Sequence, residues 1–198
     1  MPKLHIMYIP GLGDHKIAGQ RRAIALWRLH CVTAEVFQMN WADSETWERK
    51  FAHLLERIDE LTTNGVRVGL VGASAGASAA INAFAVRQDT VAGVVLISGK
   101  VNHAETVGQE VRSKNPSFWT SIQACEHSLS QLGSNERRRI QSRYAFKDMV
   151  VTATDSYVQG ADNRVQPSVG HVTTIGTQII FAAPLIIKFL KKQAEHID

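Results

Sequence analysis

The stretch Val66-Arg67-Val68-Gly69-Leu70-Val71-Gly72-Ala73-Ser74-Ala75-Gly76-Ala77-Ser78-Ala79-Ala80-Ile81 decides how this chain folds. Val68 to Val71 is a short, nearly continuous apolar run, the pattern of a strand buried on both faces. From Ala75 onward the residues are small, which suits a helix packed closely on a sheet. Between the two lies Gly72-Ala73-Ser74-Ala75-Gly76. A turn this tight forces its central residue into a strained backbone, so the positions two before and two after must be very small. Gly72 and Gly76 occupy those positions and leave Ser74 exposed above the strand end.

Working outward, short runs rich in Val and Ile alternate with segments of helical period. The strand candidates are residues 4–9, 32–39, 66–71, 91–97, 149–153 and 164–169. Helical patterns cover 17–30, 44–61, 75–86 and 178–194. The second is the strongest, with Trp47, Phe51, Leu54, Leu55, Ile58 and Leu61 at three- and four-residue steps. Ser44 reads as its cap and Asn64-Gly65 as its stop. Pro184 marks a kink or the true start of the last helix. This alternation predicts a doubly wound α/β domain over residues 1–198. Residues 103–147 interrupt it as a small helical insertion, with helices at 117–132 and 135–145, long enough to overhang a site.

Composition narrows the function classes. Of 198 residues, 44% are apolar and 20% charged, which excludes a disordered chain and fits one globular domain. No apolar stretch reaches the ~18 residues of a membrane span. The N-terminus lacks the zones of a signal peptide, so Cys31 and Cys125 read as free thiols and the protein as cytoplasmic. A net charge of +4 arises from 22 Lys and Arg against 18 Asp and Glu. Much of it is local, in Arg137, Arg138, Arg139, Arg143 and Lys147. With no RNA-type aromatic signature beside it, this cluster reads as a solvated helix face, not as a nucleic-acid footprint. It also offers a surface for a protein partner or for anionic substrates.

Gly72-x-Ser74-x-Gly76 in a strand–turn–helix context is the nucleophile-elbow pattern. The N–H of Ala75 opens the helix and faces the site, where the helix dipole favours an oxyanion. A serine needs a base. His171 follows the last strand through Gly170 and precedes the last helix, on the same sheet edge as Ser74. The base needs an acid in turn. Asp155, read as directly following the fifth strand, is the favoured acid. Asp162 is the alternative, and reads also as a turn residue ahead of the sixth strand.

In the order Ser74, Asp155, His171, nearly the whole chain resembles the α/β-hydrolase superfamily. It is similar to small bacterial esterases and lipases and to small serine hydrolases of the retinoblastoma-binding-protein-9 type. Tyr8-Ile9-Pro10-Gly11-Leu12-Gly13 resembles the family's oxyanion loop, with Pro10 where many members have His. By that match Leu12 gives a second oxyanion N–H beside Ala75. The resemblance implies a three-layer fold with a mostly parallel sheet of about six strands, ordered 2-1-3-4-5-6. It implies a serine hydrolase that cleaves a carboxylic ester or thioester through an acyl-enzyme on Ser74, with no cofactor or metal. An insertion of this size leaves an open site, suited to small, accessible esters. Two other readings compete: an interaction module on a hydrolase scaffold, contacting a partner through the arginine cluster, and a nucleotide-binding domain built on Gly11-Leu12-Gly13. The second lacks both the third glycine of a dinucleotide fingerprint and a GxxxxGK[ST] loop.

Overall fold

The computed structural model describes residues 3–63 and 65–195; Met1, Pro2, Asn64, His196, Ile197 and Asp198 lie outside the described residues. In chain order the elements are β1 (Leu4–Ile9), α1 (Ala18–Ala25), β2 (Thr33–Val36), α2 (Trp47–Thr62), β3 (Arg67–Ala73), α3 (Gly76–Val86), β4 (Val91–Ile97), α4 (Gln109–Lys114), α5 (Pro116–Gln131), α6 (Ser134–Arg137), β5 (Ile140–Lys147), α7 (Ala153–Ser156), β6 (Asp162–Val169), α8 (His171–Ile180) and α9 (Ala183–Ala194). The strands form one six-stranded sheet in the order β2-β1-β3-β4-β5-β6, and every neighbouring pair is parallel.

Side-chain alternation along the strands divides the core in two. Met7, Ile9, Leu70, Val94 and Leu96 pack on one face with Leu54 and Ile58 of α2, Phe84 of α3 and Ile122 of α5. Ile6, Tyr8, Val71, Val95 and Ile97 pack on the other with Ile24 of α1, Ile175 and Ile179 of α8, and Ile186 and Leu190 of α9. Small residues let α3 lie close on the sheet: Ala77, Ala79, Ala80 and Ala83 are fully buried. Every crossover being parallel, the strand ends that follow β3, β5 and β6 share one edge. That edge carries the candidate site.

The fifth strand is where the structure departs from expectation. Residues 135–145 do not form a helix. Only Ser134–Arg137 is helical, and β5 begins at Ile140. Residues 149–153, expected as that strand, are a loop leading into α7. The reason is that β5 is buried while polar in sequence: Gln141, Ser142 and Arg143 are all inside. Their polar atoms are matched by hydrogen bonds, so the strand carries little apolar signal. The insertion therefore ends before Ile140, and α5 within it is the crossover helix that packs on the sheet-side core. At the C-terminus the expected single helix is two, α8 and α9, bent by 68° and restarted at Pro184. No single described helix is long and apolar enough to cross a membrane.

Candidate functional site

Ser74 follows the last residue of β3 with φ +52°, the left-handed region that L-residues avoid. Backbone bonds hold it there: its N–H donates to the Ile97 carbonyl at 3.0 Å, and its carbonyl accepts from Ala77 and Lys100 N–H, each at 3.1 Å. The flanking glycines have steric causes. A Cβ on Gly76 would meet the Ile9 carbonyl oxygen at 2.1 Å, and one on Gly72 would meet Ala77 Cα at 2.6 Å. Gly11 is equally constrained, because its Cβ would lie 2.7 Å from Ser74 Cβ and 3.2 Å from Oγ. The Gly11 loop can thus pass directly over the serine. Trp41 Nε1 donates to the Pro10 carbonyl at 3.1 Å and fixes that loop from beneath.

His171 begins α8, just after Gly170, which turns at φ +92°. Its Nε2 is 2.9 Å from Ser74 Oγ, and its Nδ1 is 2.8 Å from Asp148 Oδ2. The Asp148 side chain is 2% exposed and that of His171 11%. Burial alone would raise the Asp148 pKa. Hydrogen bonds from Val150 N–H, His171 and Val151 N–H outweigh it and hold the carboxyl below its ordinary range. An ionised carboxylate only accepts, so Nδ1 carries the imidazole proton and Nε2 is left to accept from the serine hydroxyl.

No protein-family model matches this chain, and no curated protein matches it in sequence. Solved structures do match. Est1E from Butyrivibrio proteoclasticus superposes with a TM-score of 0.69 at 12% identity, over 98% of this chain and 89% of that one. Alpha/beta hydrolase domain-containing protein 10 from mouse gives 0.65 at 15%, over 95% and 90%. Paleococcus ferrophilus monoacylglycerol lipase gives 0.62 at 14%, over 97% and 94%. The chain has the α/β-hydrolase fold.

Within that fold, the structure brings Ser74 and His171 together but not with the expected acid. Asp155 does not reach His171. Its Oδ1 accepts from Lys100 Nζ at 2.5 Å, and its Oδ2 accepts from Thr152 N–H and Oγ1, each at 2.8 Å, in a capping box on α7. These bonds overcome the burial that would raise its pKa and lower it instead. Asp162 is also elsewhere, at the start of β6 on the opposite sheet edge, bonded to Gln141 Nε2 and Arg164 Nε. The carboxylate that reaches His171 is that of Asp148, the first residue after β5. The polar composition of β5 hides that strand, and with it this carboxylate, from the sequence pattern.

Ser74, Leu12 and Ala75 share the wall of a cavity of about 170 Å³. Val107, Val111 and Phe118, from the segment between β4 and β5, form its apolar side, and Val150 and Val151 close it near Asp148. The buried Lys100–Asp155 pair also borders it. Phe146, Met149, Val150, Val169 and Val172, which flank Asp148 and His171 in the chain, are exposed.

The arginine cluster does not form the expected helix face near the site mouth. Arg137 donates to the carbonyls of Leu132, Gln159 and Leu129. Arg139 donates to those of Ala92, Gln88 and Val91 and lies over the Phe84 ring. Arg143 is a buried residue of β5 itself. Of the four arginines proposed to meet a partner, Arg138 is the exposed one.

Proposed function

We propose that the protein is a serine hydrolase acting on small carboxylic esters or thioesters. The observation that carries this reading is the continuous chain Ser74 Oγ, His171 Nε2, His171 Nδ1, Asp148 Oδ2, with links of 2.9 and 2.8 Å. His171 takes the serine proton as Oγ attacks the acyl carbon, then returns it to the departing alkoxide or thiolate. Asp148 holds the imidazole tautomer and stabilises the imidazolium. The N–H groups of Leu12 and Ala75 are the donors assigned to the oxyanion, supported by their place on the cavity wall beside Ser74. Water then releases the acid by the same proton route in reverse.

The cavity supports a short acyl group. At about 170 Å³ it falls well below the ~300–1,000 Å³ typical of sites for drug-sized ligands. The esterases and lipases among proteins of this fold agree with the reading at the level of reaction class. The test is fluorophosphonate labelling together with hydrolysis of p-nitrophenyl acetate and butyrate. Both are expected in the wild type and absent in Ser74→Ala. A folded wild-type protein that does neither would overturn the proposal.

A further inference from the structure

The basic cluster marked by the sequence is not used by the chemistry above. Apart from Lys147 at the far end of β5, it lies toward the amino-terminal half of β5, beside the start of β6 and on the sheet edge opposite Ser74. A groove of about 600 Å³ opens there between these strands and α9. Arg138, Arg143, Arg164, Lys188 and Lys192 line it, against the single carboxylate of Asp162.

Arg143 is the unusual member. It is 4% exposed, and a guanidinium so buried ordinarily faces a carboxylate. Here its partners are three glutamine carbonyl oxygens: Nε donates to Gln178 at 2.6 Å, Nη1 to Gln141 at 3.0 Å and Nη2 to Gln166 at 3.3 Å. Among the described residues no acid pairs with it. Of a guanidinium's five N–H donors, these bonds use three, so two remain for a ligand. Asp162 bonds directly to Arg164 Nε, at 2.9 Å, and acts on Arg143 only through space. Burial, and then the like charge of Arg164, pull the Arg143 pKa below its ordinary value, and the charge of Asp162 offsets them only in part. Lys188 and Lys192, one turn apart on α9, are exposed and make no hydrogen bond or ion pair among the described residues.

We propose that this groove binds a phosphate-bearing small molecule, with an oxyanion on Arg143 and its remaining charge met by Arg164, Lys188 and Lys192. A single carboxylate would leave most of the positive surplus unmet. A phosphate offers several acceptor oxygens to a guanidinium fork and to ammonium groups at once. The site is separate from the proposed hydrolytic one and stands whether or not that reading holds.

The experiment is titration of the full chain with inorganic pyrophosphate, followed by calorimetry and by thermal unfolding, with sodium chloride at matched ionic strength as reference. A saturable heat and a rise in Tm beyond the chloride reference are expected. Lys188→Gln/Lys192→Gln is expected to weaken binding at least ~10-fold, the scale of one lost charge-assisted contact. Arg49→Gln/Lys114→Gln removes the same charge from exposed sites outside the groove and is expected to bind as the wild type does. Arg143→Gln is expected to abolish binding; if it does not fold, the lysine pair decides. Three results would overturn the proposal. One is no response beyond the chloride reference, and another is equal weakening in both double variants. The third is sedimentation with phosphatidic-acid vesicles without any response to pyrophosphate, which would assign the groove to a membrane surface.

Discussion

Asp148→Asn separates the two carboxylates that flank Ser74 in this fold. In the proposed mechanism, proton transfer to His171 creates an imidazolium whose Nδ1 is 2.8 Å from Asp148 Oδ2. With charge centres ~4 Å apart and an effective dielectric of ~20, the attraction is about 4 kcal/mol. Losing it slows the acylation step by roughly 10³. Asparagine adds a second defect. Its amide can donate to Nδ1, which shifts the ring proton to Nε2 and blocks acceptance from Ser74. The combined loss in kcat is expected at ~10³–10⁴. Asp155→Asn should behave differently. It leaves Lys100 buried without a counter-charge, costing about 3–5 kcal/mol of stability and lowering Tm by roughly 10 °C. Its turnover per folded molecule should stay within ~10-fold of wild type, because Asp155 touches neither His171 nor the reacting atoms. The assay is p-nitrophenyl acetate hydrolysis, with active sites counted by fluorophosphonate burst. If Asp148→Asn keeps most of its turnover while Asp155→Asn loses 10³, the assignment of the acid is wrong.

Other expectations follow from particular contacts. Gly11→Ala places a methyl 2.7 Å from Ser74 Cβ; a stability loss of about 1–3 kcal/mol with a larger fall in kcat than in Tm is expected from paired unfolding and kinetic measurements. Val111→Phe fills part of the cavity, so the butyrate-to-acetate ratio of kcat/KM should drop ~10-fold, the scale of a methylene or two in an apolar pocket. Glu35 supplies a pH signature. The His5 imidazole, 3.6 Å away, and then hydrogen bonds from Arg57 lower its pKa from 4.5 to about 2. A depressed folded-state pKa contributes stability that is fully present above pH 4.5 and lost as pH falls through about 2. Glu35→Gln should therefore flatten the decline of Tm with acid across that window.

Much of this fold was legible because its central strands are apolar on both sides. Val68–Val71 and Val91–Ile97 announce a covered parallel sheet, and Gly72-x-Ser74-x-Gly76 marks where it turns into α3. His171 could be found from its place one residue beyond Gly170, after a strand. Asp148 could not be found the same way. Gln141, Ser142 and Arg143 sit inside β5 with their polarity matched by partners distant in sequence, and such matching leaves no local trace. Ser142 Oγ, for example, donates to the Ser156 carbonyl at 2.6 Å. The basic residues misled for a related reason. Three of the four arginines spend their guanidinium groups on glutamine or backbone oxygens inside the fold, where a linear reading sees only charge.

The glutamine-bound guanidinium of Arg143 has a further consequence. β6 is an edge strand with exposed Arg164 and Val165, and an edge of this kind is weakly defined in register. Arg143 ties β5 to Gln166 of β6 and Gln178 of α8 at once. A slip of β6 by two residues would keep its faces but break both ties. It would carry the strand's far end, and His171 just beyond it, by ~6–7 Å. The spacing between serine and histidine is thus indexed from the other end of the sheet, by a side chain that touches neither.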